Sequence, residues 1–243
     1  MTVELKNPPI VEAACEFRFA DRFEDLTIYG SLHEKLKNKF EKKKVRTNLE
    51  IVMEKSNGKM EPKAVESNIQ QFLDKDEKSV IQVGPQVLVI SRLKPYETWS
   101  KFLPDIETTF QSFLEISGLK EIKRIGLRYI NKINFKKSEV DLDEYFEFKP
   151  HVPKSIGDSF ESFIVGSQIP KRDGKDFLKI TLTNSEPDES YKTAHILDID
   201  YFTSDYADVN IDVALKWVSE AHDQLEKAFF LCITDNLLDE FNK

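Results

Sequence analysis

A chain of 243 residues with 40% hydrophobic and 11% aromatic content has enough apolar material for one large domain or two small ones. Eighteen Phe against eight Gly exclude a disordered chain. A net charge of −8 argues against broad nucleic-acid binding, because neutralising phosphates takes a basic surface.

The charge is uneven. From Glu186 onward four Lys/Arg stand against fourteen Asp/Glu, a balance of −10, so the preceding residues carry +2. An ordinary solvated acidic face accounts for this; so does self-association or a basic partner. The longest apolar run, Ala228 to Ile233, is far too short to span a bilayer. The opening MTVELKNPPI lacks the basic and apolar regions of a secretory signal. Cys15 and Cys232 sit in apolar surroundings, which suits buried thiols in a reducing compartment. We therefore expect a cytoplasmic protein with no membrane association.

Asn7-Pro8-Pro9 stiffens the entry to the first element. From Ile10 to Phe19, Ala13, Cys15, Phe17 and Phe19 alternate with Glu12, Ala14, Glu16 and Arg18, the pattern of a strand with one apolar and one charged face. Between Leu26 and Phe40, Ile28, Leu32, Leu36 and Phe40 recur every four residues and predict an amphipathic helix. Its cationic tail, Lys35 through Arg46, would complement the helix dipole; a phosphate patch is the alternative. Leu49 to Met53 reads as a short strand, and Asn57-Gly58 with Pro62 as a loop. Asn68 to Leu73, Ser79 to Gly84 and Gln86 to Leu93 read as three strands joined by short antiparallel turns. Tyr96 to Ser117 is a second helix ended by Gly118, and Pro104 within it predicts either a kink or a start near Leu103.

The midpoint stretch, Ile122 to Phe135, organises the chain. Ile125, Leu127, Tyr129, Ile133 and Phe135 alternate with Arg124, Arg128, Lys132 and Asn134. Asn131 interrupts the apolar set, so it must bond backbone or mark a bulge. Leu142 to Phe146 reads as a short helix capped by Asp141, and Lys149 to Asp158 as a loop. Phe160 to Pro170, Phe177 to Asn184 and His195 to Thr203 read as strands. Ile211 to Phe241 reads as one long helix with two apolar stripes, one through Ala214, Val218, Ala221, Leu225, Ala228 and Cys232, the other through Phe229, Ile233, Leu237 and Phe241. Two stripes require a second packing surface, in this chain or in a partner. The expected class is α+β: mainly antiparallel sheets packed with long helices, in two strand–helix–strands–helix halves, 1–118 and 119–243, which one continuous domain can also hold.

Three blocks, NPPIVEAACEFRF, RIGLRYINKINF and AHDQLEKAFFLCITDNL, together resemble a sporadically distributed, uncharacterised bacterial protein family over nearly the whole chain. The patchy distribution of that family implies accessory cargo of the defence or toxin–antitoxin kind. The order of elements in the second half is similar to a SecB-like chaperone unit, which implies polypeptide binding by fold analogy alone.

No common catalytic motif is present. Four histidines without CxxC or HExxH give no metal signature, and GxSxG, GxxxxGK[ST] and GxGxxG are absent, so no cofactor is expected. The candidate ligand-binding residues are charged strand faces: Glu12, Glu16 and Arg18; Arg124, Arg128 and Lys132; Asp198 and Asp200. His222 completes the set: it lies among Val218, Leu225 and Phe229 on the last helix, where a core or edge histidine is the ordinary use and a catalytic base the sharper one, with Asp223 and the Asp198/Asp200 pair as its anchors. Cross-strand pairing is the ordinary use of such charges. A polar cavity binding a divalent ion and phosphate is the sharper use, similar to triphosphate-tunnel enzymes; their E-x-E-x-K strand is here E-F-R at Glu16 to Arg18, one carboxylate short. The reading that follows is a non-enzymatic protein-binding accessory protein, a homodimer with a protein partner. The alternative is a metal-dependent phosphohydrolase or nuclease.

Overall fold

The computed structural model describes residues 5–56, 59–153, 155–157, 160–204 and 209–242. Nine strands form one entirely antiparallel sheet. They are β1 (Ile10–Phe19), β2 (Lys42–Ser56), β3 (Lys59–Leu73), β4 (Ser79–Gly84), β5 (Val87–Leu93), β6 (Ile122–Phe135), β7 (Ile164–Lys171), β8 (Asp176–Ser185) and β9 (Thr193–Thr203). The helices are α1 (Thr27–Leu36), α2 (Trp99–Ser117), α3 (Leu142–Tyr145), α4 (Ala214–Cys232) and α5 (Asp235–Phe241). The α+β class and antiparallel sheet expected from the sequence are those of the molecule.

Strand order β2-β3-β4-β5-β1-β6-β9-β8-β7 makes the two halves alike. In each, the opening strand (β1 or β6) pairs with the last strand of its own meander (β5 or β9). The two opening strands then pair with each other, antiparallel, at the centre. The sheet thus runs without a break across the 118/119 boundary, and the buried apolar residues of both halves form one cluster.

One face of the sheet is covered. Ala13, Cys15, Phe17 and Phe19 of β1 lie beside Ile125, Leu127 and Tyr129 of β6, all of them buried. On α2, Phe110 stacks on Phe17 at 4.2 Å between ring centroids, and Phe113 meets Phe19 at 5.3 Å. On α4, Trp217 packs on Tyr201 of β9. The Trp217 indole and the Tyr201 hydroxyl both donate to the buried Asp176 carboxylate, which ties the start of β8 to that helix. Asn131 stays on this covered face and donates to the Leu197 carbonyl at 3.0 Å, opposite a register shift between Ile10 and Glu12 of β1.

Several boundaries differ from the sequence reading. The cationic tail is not helical: α1 ends at Leu36, and Lys42, Lys44 and Arg46 belong to β2. Pairing with β3 over fifteen residues outweighs the helical pattern, and Lys42 and Lys44 both bond Glu77. The short strand at Leu49 to Met53 is part of that same long strand, and Pro62 lies within β3 rather than in a loop. Asn57-Gly58 lie outside the described residues. Pro104 is inside α2, which starts at Trp99; Gly118 ends it in a left-handed conformation, φ 67°, with its N–H on the Leu114 carbonyl. The short helix α3 is capped as expected, the Asp141 side chain accepting from the Asp143 N–H.

The long terminal helix is two helices. Ile233 is extended and bridges to Phe146, and the Thr234 hydroxyl accepts from the Leu237 N–H to start α5. The turn brings the second stripe back onto the same chain: Phe229, Ile233, Leu237 and Phe241 are all buried. That stripe is therefore used within the fold and supplies no argument for a partner helix. Among the described residues no helix is long and apolar enough to cross a membrane.

Candidate functional site

The face of the sheet opposite the helices carries the charged residues. Period-two geometry places Glu12, Glu16 and Arg18 of β1 on it. The register β1–β6–β9 sets Ala14 beside Arg128 and Arg128 beside Asp200, so Arg124, Arg128 and Lys132 project from the same surface as Asp198 and Asp200. Eight of the nine residues singled out from the sequence meet here.

All of them but Glu12 meet in ion pairs. Arg18 and Arg124 face each other across β1 and β6, a like-charge pair that would repel. Glu16 lies between them: its Oε1 accepts from Arg18 Nε at 2.8 Å and from Arg124 Nη1 at 2.6 Å. Arg124 extends to Asp200 at 3.7 Å and lies over the Phe202 ring, 4.4 Å from its centroid. Arg128 forms a two-pronged pair with Asp198, at 2.7 and 2.6 Å, which holds its guanidinium more firmly protonated than usual. Glu12 accepts from the Ser91 hydroxyl of β5 at 3.1 Å. Lys132 donates to Asp188 at 2.5 Å.

Asp188 was not singled out in the sequence. It belongs to the polar loop between β8 and β9, folds back over the end of β6, and also accepts from Asn134 at 3.1 Å. Lys132 keeps its carboxyl below the usual range. No local pattern marks it, since the contact spans 56 residues.

Asp200 is the least comfortable member. Burial pushes its carboxyl up to about 6, against the pull of Arg124 and Arg128, with Asp198 and Glu16 adding repulsion. Its charge is the one this face holds least readily.

His222 is elsewhere. It lies on α4, against the covered face, on the far side of the sheet from Asp198 and Asp200. Its Nδ1 is 2.8 Å from the Tyr129 hydroxyl, and its ring stacks on Trp99 at 4.2 Å. Burial lowers its proton affinity. The aspartate pair does not anchor it; Tyr129 and Trp99 do. The periodicity of α4 placed His222 on the apolar stripe, and that was the signal for this location.

His33 and His195 are equally separate: His33 bonds the Phe40 carbonyl, and His195 is enclosed by Phe135, Phe146 and Phe163. Among the described residues no three His, Cys, Asp or Glu side chains gather as a metal ion would require. Chemically, this face offers neutralised charge, amide and hydroxyl groups, and partly buried apolar side chains such as Ile130 and Ile196 between them. No protein-family model matches this chain, and no curated protein matches it.

Proposed function

We propose that this chain is a non-enzymatic protein-binding module of a reducing, cytoplasmic compartment, and that the helix-free face of its sheet is the docking surface. The observation that carries the reading is the pairing of charge on that face. Glu16, Asp198 and Asp188 are engaged by neighbouring arginines and lysines rather than held for a metal or a proton transfer. A surface of fixed, self-neutralised ion pairs gives orientation and specificity to a polypeptide partner without holding net charge of one sign. Two buried, free cysteines, both with thiols made harder to ionise by burial, suit a compartment without disulfides. The resemblance to accessory bacterial proteins points to a partner encoded nearby.

The alternative, a metal-dependent phosphohydrolase, has no observation in its favour beyond the presence of Asp198 and Asp200 on one face. The test is size-exclusion chromatography with light scattering, on the chain alone and mixed with the products of its neighbouring genes. A defined complex, or a dimer, lost on Arg128→Glu supports the reading. A strict monomer that joins none of them contradicts it. Hydrolysis of tripolyphosphate with Mg²⁺ that is lost in Asp198→Ala would favour the alternative instead.

A further inference from the structure

Where β1, β5 and β6 end, the sheet borders a cleft of about 910 Å³ between the start of α1, the root of the β2–β3 hairpin and the turn from β4 to β5. That is at the upper end of the range for ligand pockets. Arg18, Arg22, Lys43 and Lys123 line it, and among the described residues no Asp, Glu or His does. In a chain of net charge −8 such a lining is not a sample of the average surface.

These cations are placed by the fold. Lys123 is the extra residue of a bulge: Arg18 pairs with Arg124, but Phe19 pairs with Ile122. A bulge re-aims a side chain, and here Ile122 takes the place opposite Phe19 on the covered face, which frees Lys123 from the position that strict alternation would give it there. Lys43 comes from β2, and Arg22 from the loop after β1. Arg18 is held by Glu16, whereas Arg22, Lys43 and Lys123 have no carboxylate within ion-pair distance among the described residues. Like charges brought to one cleft repel one another, and a bound anion relieves that repulsion.

The rest of the lining is not that of a bare anion trap. Tyr29 is half-buried on the wall, Leu26 is 72% exposed, and Gln86 offers an amide. A flat ring stacks on such groups, and an amide bonds its edge. Among the described residues the lining has no carboxylate or imidazole, so none of them holds Mg²⁺ or acts as a general base there.

We infer that this cleft binds the phosphate and base of a nucleotide, free or at the end of a single strand, without turning it over. The inference is independent of the partner reading. The cleft shares Arg18 with the ion-pair ladder, but the three unpaired cations lie outside it, so either can fail alone.

The test is fluorescence anisotropy with the full chain, using labelled ATP and a labelled 5′-phosphorylated oligothymidylate of about twelve nucleotides. Both bind, and Arg22→Ala/Lys43→Ala/Lys123→Ala weakens both by about tenfold or more, while Lys179→Ala on the sheet face changes nothing. Neutralising three phosphates of a strand costs about twentyfold in affinity between roughly 50 and 200 mM salt, so that slope assigns the strand as source. A strand that binds no tighter than ATP assigns the free nucleotide. The single variants Arg22→Ala and Lys43→Ala carry the same test should the triple variant lose its circular-dichroism spectrum. Failure of both probes to bind, or binding unchanged in these variants, overturns the inference. So does tripolyphosphate or polyglutamate competing as well as ATP.

Discussion

Two groups of cations lie a few residues apart in this molecule and are treated in opposite ways. On the sheet face Arg18, Arg124, Arg128 and Lys132 each have a carboxylate from the same or an adjacent element. At the end of the same strands, Arg22, Lys43 and Lys123 share a cleft whose described lining residues include no acid. The difference is geometric. Inside a sheet, strand alternation brings opposite charges into register; where strands end or bulge, nothing does. The presence of charge therefore marks neither region as a binding site. What separates the two regions is whether the charge is already neutralised.

The comparison breaks most visibly at Arg124. Its side chain is 21% exposed and bonds Glu16 and Asp200 together, so Arg124→Ala leaves two partly buried carboxylates side by side. We expect a loss of about 2–3 kcal/mol in urea denaturation, below the value for a fully buried pair because water still reaches both groups. Asp200→Asn acts in the opposite sense. The folded carboxyl titrates at about 6 against an ordinary 3.8, so the folded state binds the proton more tightly. Stability is then lost as pH rises from about 4 to about 6, and the amide removes that loss, a gain of about 1–2 kcal/mol at pH 7. Denaturation at pH 4 and pH 7 checks the sign: the wild type should be the more pH-dependent of the two across this window.

A smaller effect belongs to Arg128 and Asp198. Arg128 is 48% exposed, so a double-mutant cycle should give a coupling of about 0.5–1 kcal/mol despite the two-pronged geometry. The smallest belongs to the cleft. Arg22→Ala, Lys43→Ala and Lys123→Ala should each change stability by less than about 0.5 kcal/mol, because each removes an exposed charge that makes no ion pair among the described residues. A loss of the Arg124 size at any of them would erase the distinction between the two regions.

Alternation made the ladder legible before any coordinates. Glu16, Arg128 and Asp200 sit at polar positions of strands whose other residues are apolar, so a sheet must put them on one side. Asp188 was not legible, because a loop residue reaches Lys132 only after β8 and β9 have paired. The cleft was less legible still. Its cations come from the loop after β1, from β2 and from β6, and Lys43 stands in a lysine run that reads equally well as a helix tail. Lys123 depends on a bulge, which no periodicity announces. The break at Ile233 was within reach: Thr234-Asp235 is a helix-start signal, overridden in the sequence reading by apolar spacing that continues to Phe241. His222 shows that a correct local pattern can still mislead about partners, since the stripe placed it inside, yet on the side of the sheet away from the aspartates.

Thermal unfolding with and without ATP, in wild type, in Arg128→Ala and in the triple cleft variant, compares the two regions in one measurement. A ligand that binds only the folded chain raises the melting temperature. The wild type and Arg128→Ala should both show that rise, and the cleft variant should show none. A rise that persists without Arg22, Lys43 and Lys123, or one that vanishes with Arg128, would contradict the division drawn between neutralised and available charge.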